Sequence, residues 1–138
     1  ERLFTRWGFR EVLEKQAAAI LQPDLCHAGG IGEVRKIANM AETYYAAVAP
    51  HNPLGPISLA AGLQVDACIP NFLCQEQVTL GEDYLQVPFV LRDGYIDLPT
   101  APGLGITLND EAVSAGLYDG SWDTPRLFHA DDGSFAEW

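Results

Sequence analysis

The chain has 138 residues, 48% of them hydrophobic and 20% charged; that composition is globular and sufficient for one ordinary domain or a piece of a larger one. Nineteen acidic residues against eight basic ones give a net charge of −11. Such a surface repels phosphate backbones and anionic lipids, which argues against nucleic acid and membrane partners.

Residues 9–17 read as an amphipathic helix, with Phe9, Val12, Leu13, Gln16 and Ala17 on one face and Arg10, Glu11, Glu14 and Lys15 opposite. An apolar run at 18–21 follows and ends in Gln22-Pro23-Asp24, where proline disfavours a continuing helix. After a glycine-rich turn (Gly29, Gly30, Gly32), a second amphipathic helix places Val34, Ile37, Ala38, Ala41 and Tyr45 on one face. The next apolar run, 46–49, ends in Pro50-His51. Pro56 suits the first position of a helix, and residues 57–68 are apolar nearly all round, which predicts burial on several sides or a subunit contact. A third apolar run, 72–74, ends in Gln75-Glu76-Gln77. Beyond it, residues 89–91 and 95–98 flank Arg92-Asp93-Gly94, a hairpin signal. Asn109 is a good N-cap for a short helix through Ala115, with Asp110 and Glu111 in its first turn. The tail is expected to pack through Trp122, Phe128 and Trp138, with His129 structural or exposed.

The three cysteines, Cys26, Cys68 and Cys74, match neither a redox pair nor a zinc knuckle. Each sits in or beside an apolar run, so buried free thiols of a reducing cytoplasm are expected. No signal peptide is visible, and no apolar run approaches the roughly 20 residues needed to cross a bilayer.

The apolar runs lack alternation, as in strands of a parallel α/β sheet buried on both faces. Each ends in an ionisable residue: Asp24, His51, Glu76. Glu1 fits as the end of a preceding strand, and the four are separated by 23, 27 and 25 residues. One such residue per βα unit, at the C-terminal end of each strand, places all four on one rim of a barrel, where (β/α) barrel enzymes keep their active sites. A complete barrel runs to about 250 residues. The chain, which begins at Glu1 without an initiator Met, therefore reads as roughly its second half, cut from a larger enzyme.

On consecutive strand ends, Asp24 and His51 are neighbours. A carboxylate beside an imidazole fixes its tautomer and makes it a better base; the plain alternative is a loop histidine and a capping aspartate that never meet. Glu1 is compatible with a hard-cation ligand, or is simply a terminal residue. Glu76 suits hydrogen bonding to a developing oxyanion, or a salt bridge. The glycines at 29, 30 and 32 suggest an anion-binding turn, or the ordinary glycines of a βα loop. His27 beside Cys26 hints at a metal pair, but further ligands at suitable spacing are missing, so His27 reads as a histidine that supports a ligand from behind or faces substrate.

These segments resemble the acid-sugar dehydratases of the mandelate racemase/muconate lactonizing branch of the enolase superfamily. Glu1-Arg2-Leu3-Phe4-Thr5-Arg6 resembles their strand-five glutamate segment, and Gln22-Pro23-Asp24 with His27-Ala28-Gly29-Gly30-Ile31 the end of strand six. Ala49-Pro50-His51-Asn52-Pro53-Leu54-Gly55-Pro56 resembles strand seven, and Gln75-Glu76-Gln77 strand eight. Asp93-Gly94-Tyr95-Ile96-Asp97-Leu98-Pro99 and Pro102-Gly103-Leu104-Gly105 resemble the segment returning to the capping domain. The ending Asp132-Gly133-Ser134-Phe135-Ala136-Glu137-Trp138 resembles that of the galactonate dehydratase group.

The resemblance implies an α/β fold, the C-terminal half of a (β/α) TIM-type barrel. Residues 1–78 would be barrel, and 79–138 a hairpin, short helix and tail returning to the capping domain. It also implies an Mg²⁺-dependent lyase that dehydrates a sugar acid to a 2-keto-3-deoxy sugar acid through a Mg²⁺-stabilised enediolate. Glu1 would be a metal ligand, His51 the base at C2, Asp24 its orienting partner, and Glu76 a hydrogen-bonding stabiliser of the anionic intermediate. The other metal ligands and the leaving-group acid would lie upstream, so the segment alone is expected to be inactive and to bind Mg²⁺ poorly. A cytoplasmic homo-oligomer is expected. Alternatives are a gluconate, mannonate or pentonate dehydratase, a racemase or epimerase, or a non-catalytic barrel subunit. Asn52 departs from the residue expected in the Pro-His motif.

Overall fold

The computed structural model describes residues 1–121, 128, 129 and 131–134. Helix α1 (Thr5–Glu14) leads into strand β1 (Ile20–Leu21), the single turn α2 (Leu25–Ala28) and helix α3 (Ile31–Glu42). Strand β2 (Ala47–Val48) and helix α4 (Pro56–Asp66) follow. A small hairpin, β3 (Leu91–Arg92) and β4 (Tyr95–Ile96), and helix α5 (Asp110–Ala115) close the ordered series. The α/β class and the parallel strand order expected from the sequence are both borne out: Ile20 pairs with Ala47 and Leu21 with Val48, in parallel.

The core lies between the helices and one face of this short sheet. Phe9 and Leu13 of α1 pack with Val34, Ile37, Ala38 and Ala41 of α3, over Leu21 and Val48. Burying side chains of this size contributes on the order of 1.5–3 kcal/mol each. An ion pair closes the α1–α3 junction, where Arg6 donates to Glu33 at 2.7 Å. Asn71 ties the end of α3 to β2, its Nδ2 donating to the carbonyls of Ala38 and Ala46.

Several expectations need correction. The first helix starts and stops earlier than its apolar pattern, because Thr5 (φ 54°) and Gln16 (φ 49°) both leave the right-handed region. Tyr45 is 97% exposed and lies beyond α3, also at positive φ. The strands are covered on one face only: Leu21 and Val48 are buried, whereas Ile20 is half exposed on the other side. The third run forms no regular strand. Phe72 makes an isolated parallel bridge to Val48, and Phe72 and Leu73 remain exposed. All three cysteines are free, as expected, but exposed rather than buried. They sit at element ends, Cys26 in α2, Cys68 just past α4 and Cys74 just past the bridge, where an apolar neighbourhood in sequence does not produce enclosure.

Helix α4 is buried on most sides, as its composition predicts; Leu59, Ala60, Gly62, Leu63, Val65 and Asp66 are covered. Its carboxyl at Asp66 is the anomaly, buried with neither oxygen hydrogen-bonded. The hairpin turns at Asp93-Gly94, both at positive φ (51° and 84°), the geometry of a type I′ turn; Arg92 belongs to the strand rather than the turn. Asn109 caps α5 through its side chain, which accepts from the Ala112 N–H at 3.3 Å. Phe128 and His129 are exposed. Trp122 and Trp138 lie outside the described residues, as does the end of the Asp132–Trp138 motif.

Candidate active site at the strand ends

Pro23 disfavours helix at Gln22 just after β1, and Asp24 follows in extended conformation as the N-cap of α2. Its Oδ1 accepts from the backbone N–H groups of Cys26 (2.7 Å) and His27 (3.2 Å). One oxygen thus holds the carboxylate rigidly, and the other is free to face the rim. Gly29 (φ 118°) ends α2 and Gly30 (φ 82°) starts α3. Both take backbone angles that favour glycine. The first turn of α3 carries Glu33, whose carboxylate is already paired with Arg6; an acidic side chain there opposes a second anion.

His51 stands one strand over. The parallel ladder continues past the regular strands, with Ala49 N–H bonded to Leu21 O (2.9 Å) and His51 N–H to Pro23 O (3.2 Å). Asp24 and His51 become bridge partners, and Asp24 Oδ2 lies 2.9 Å from His51 Nδ1. The carboxylate is fully buried and the imidazole is 18% exposed. Nδ1–H donates to Asp24, which leaves Nε2 as the nitrogen with a free lone pair.

That nitrogen faces two further carboxylates. Glu1 Oε2 is 3.4 Å from His51 Nε2, and Glu76 Oε2 is 4.0 Å away. Glu1 is half exposed and Glu76 more than a third exposed. Glu76 Oε2 accepts from the Asn52 backbone N–H at 2.9 Å, so the residue after the histidine fixes the carboxylate opposite it. All four strand-end residues singled out from their spacing therefore converge on one space. His27 joins at the margin, its Nδ1 3.4 Å from Asp24 Oδ2, with its side chain 54% exposed.

As a metal centre the site is incomplete. Among the described residues no group of three or more His, Cys, Asp or Glu is arranged to hold a metal ion. Glu1 places one hard carboxylate beside His51 Nε2, the donor type that Mg²⁺ takes. The sequence assigned no role to Asn52, whose backbone N–H donates to Glu76, or to Gln75, whose side-chain Nε2 donates to the carbonyls of Pro50 and Glu76. Their only sequence signal was adjacency to His51 and Glu76.

Residues 1–112 match the family described as enolase C-terminal domain-like. The full length of the chain aligns at 47% identity with a D-galactonate dehydratase from Ralstonia nicotianae, of which it covers 39%. Solved structures superpose well. A mandelate racemase/muconate lactonizing enzyme from Sulfitobacter sp. gives a TM-score of 0.81 at 44% identity, over 88% of this chain and 31% of that one. An enolase from Agrobacterium radiobacter, solved with bound Na and L-malate, gives 0.85 at 32% identity, over 96% of this chain and 38% of that one. The chain thus spans well under half the length of the relatives it matches.

Proposed function

The chain belongs to the enolase C-terminal domain-like family, and from that premise we propose that a full-length protein carrying it dehydrates a sugar acid, D-galactonate first among candidates, to a 2-keto-3-deoxy sugar acid. The observation that carries the reading is the 2.9 Å Asp24–His51 contact with Glu1 and Glu76 on the opposite side of the imidazole. The whole-chain likeness to a D-galactonate dehydratase supports the choice of substrate.

In this reading each residue takes a role that its position supports. Asp24, locked by two backbone N–H groups, orients His51 and stabilises the imidazolium once it forms. His51 Nε2 removes the proton at C2, next to the substrate carboxylate. The electron pair left on C2 delocalises into that carboxylate as an enediolate, then expels the C3 hydroxyl, which leaves as water. The resulting enol tautomerises to the 2-keto acid. Glu76, held by the Asn52 amide, lies where it can hydrogen-bond the anionic intermediate. Glu1 would be one ligand of Mg²⁺, which when bound polarises the substrate carboxylate and makes the adjacent proton acidic. His27 would contact the polyol on the exposed side. The proton for the departing hydroxyl comes from a group outside these residues.

In the proposed organisation residues 1–78 are the second half of a (β/α) barrel and 79–138 return to a capping domain. No helix among the described residues is long and apolar enough to cross a membrane; we place the enzyme in the cytoplasm as a homo-oligomer. The test is incubation of the full-length enzyme with D-galactonate and Mg²⁺ in D₂O. Formation of 2-keto-3-deoxy product, with turnover lowered about 10²–10⁴-fold in His51→Asn, supports the assignment. Turnover of another sugar acid with inert galactonate moves it within the superfamily, and full activity of His51→Asn overturns the role of the base.

A further inference from the structure

The ladder that carries His51 and Glu76 is firm at its base and loose at its top. Val48 bonds to both neighbours of Phe72, through Val48 N–H to Asn71 O and Leu73 N–H to Val48 O, each at 2.8 Å. Two residues further along, Glu76 N–H reaches Pro50 O only at 3.4 Å, beyond the usual range for such a bond. This slack falls where the reacting groups stand. It is bridged by the carboxamide of Gln75. The Nε2 group donates to Pro50 O at 3.1 Å and to Glu76 O at 2.7 Å. An amide nitrogen carries two hydrogens, and both are used, one on each strand end. Pro50 immediately precedes His51, so the two carbonyls belong to the backbone of the base and of the carboxylate opposite it.

Space for this clamp comes from α4. Gln75 Oε1 lies 2.6 Å from where a Cβ on Gly62 would stand, and the oxygen is buried without a hydrogen-bond partner. An unpartnered buried acceptor is unfavourable, so the contribution of the amide lies in its nitrogen rather than its oxygen.

We propose that Gln75 is a positioning residue whose two amide hydrogens set where Glu76 stands relative to His51. The proposal rests on the reading of His51 and Glu76 as the reacting pair. Removing the donors leaves the Asp24–His51 dyad in place, because its own ladder and N-cap bonds do not involve Gln75, while Glu76 drifts from Asn52 and from His51 Nε2.

Amide hydrogen exchange separates these outcomes without turnover. The Asn52 amide reports on Glu76, to which it donates, and the Cys26 amide reports on Asp24. In Gln75→Met and in Gln75→Leu, which both lack the donors, Asn52 exchange accelerates about tenfold and Cys26 exchange is unchanged. An unchanged Asn52 amide, or equal acceleration at both sites, overturns the proposal. Should neither variant fold, the wild type decides: slow exchange of the Gln75 side-chain amide supports the clamp, and exchange at the free-amide rate refutes it. In the full-length enzyme the same variants lower kcat with little change in KM. If the amides respond as expected but no sugar acid turns over, the dehydratase reading fails and the clamp stands.

Discussion

Asp66 offers the clearest quantitative test of the packing. It occupies the last turn of α4, is 9% exposed, and has no hydrogen bond to either carboxylate oxygen. Burial alone pushes its carboxyl from the ordinary 3.8 up to about 7. The folded protein therefore holds a proton that the unfolded chain releases from about pH 4 upward. Asp66 destabilises the fold progressively between about pH 4 and about pH 7 and by a constant amount above that. The shift corresponds to a ceiling of about 4 kcal/mol at 1.36 kcal/mol per unit, and to about half that once residual solvent screening is counted. The perturbation is Asp66→Asn, which removes the titration and keeps the shape. Urea unfolding followed by tryptophan fluorescence, at about pH 5 and about pH 8 for both proteins, gives four stabilities. The double difference cancels the amide's own burial cost and the titration of every other group. We expect the wild type to lose about 1–3 kcal/mol more than the variant on going from the lower pH to the higher, since part of the effect is already present at about pH 5. Equal losses would refute the claim that this carboxyl is buried without a partner.

Other substitutions test separate parts of the structure. Glu1→Gln in the full-length enzyme should raise the Mg²⁺ concentration for half-maximal activity about 10-fold or more, read from a metal titration, since one charged oxygen ligand is lost. Asn109→Ala removes the side-chain cap on α5 and should lower stability by about 1 kcal/mol, measured by denaturant midpoint. Ile37→Ala opens a cavity among fully buried residues of the α1–α3 core and should cost about 2–5 kcal/mol in the same assay; a value under about 0.5 kcal/mol, typical of surface sites, would mean that this helix face is not core.

The period of ionisable residues after apolar runs picks out the residues that the structure brings together in the candidate site. Asp24, His51 and Glu76 are legible because a parallel βα repeat delivers one strand end per unit to the same rim, whatever fills the loops between. Local chemistry was equally legible where one or two residues decide the outcome: Pro23 before Asp24, the Asp93-Gly94 turn, and Asn109 at the start of α5. Helix α4 declared its burial through composition alone. What remained hidden depends on groups that every residue shares or on neighbours remote in sequence. The third apolar run forms a bridge instead of a strand because pairing requires a partner along its length, and only Val48 supplies one here. Ile20 is exposed because a two-stranded sheet covered on one side leaves its other face open, and the cysteines are exposed because they sit at element ends. Asp66 looks like any charged residue at a helix end until the packing around α4 removes its water and gives nothing in return. Asn52 and Gln75 work through a backbone amide and two backbone carbonyls, and a string of side chains carries no record of which carbonyl a glutamine will reach. Pattern along the chain determines which residues arrive at the rim; the distances that decide whether Glu76 can act opposite His51 are set only when the strands and α4 pack together.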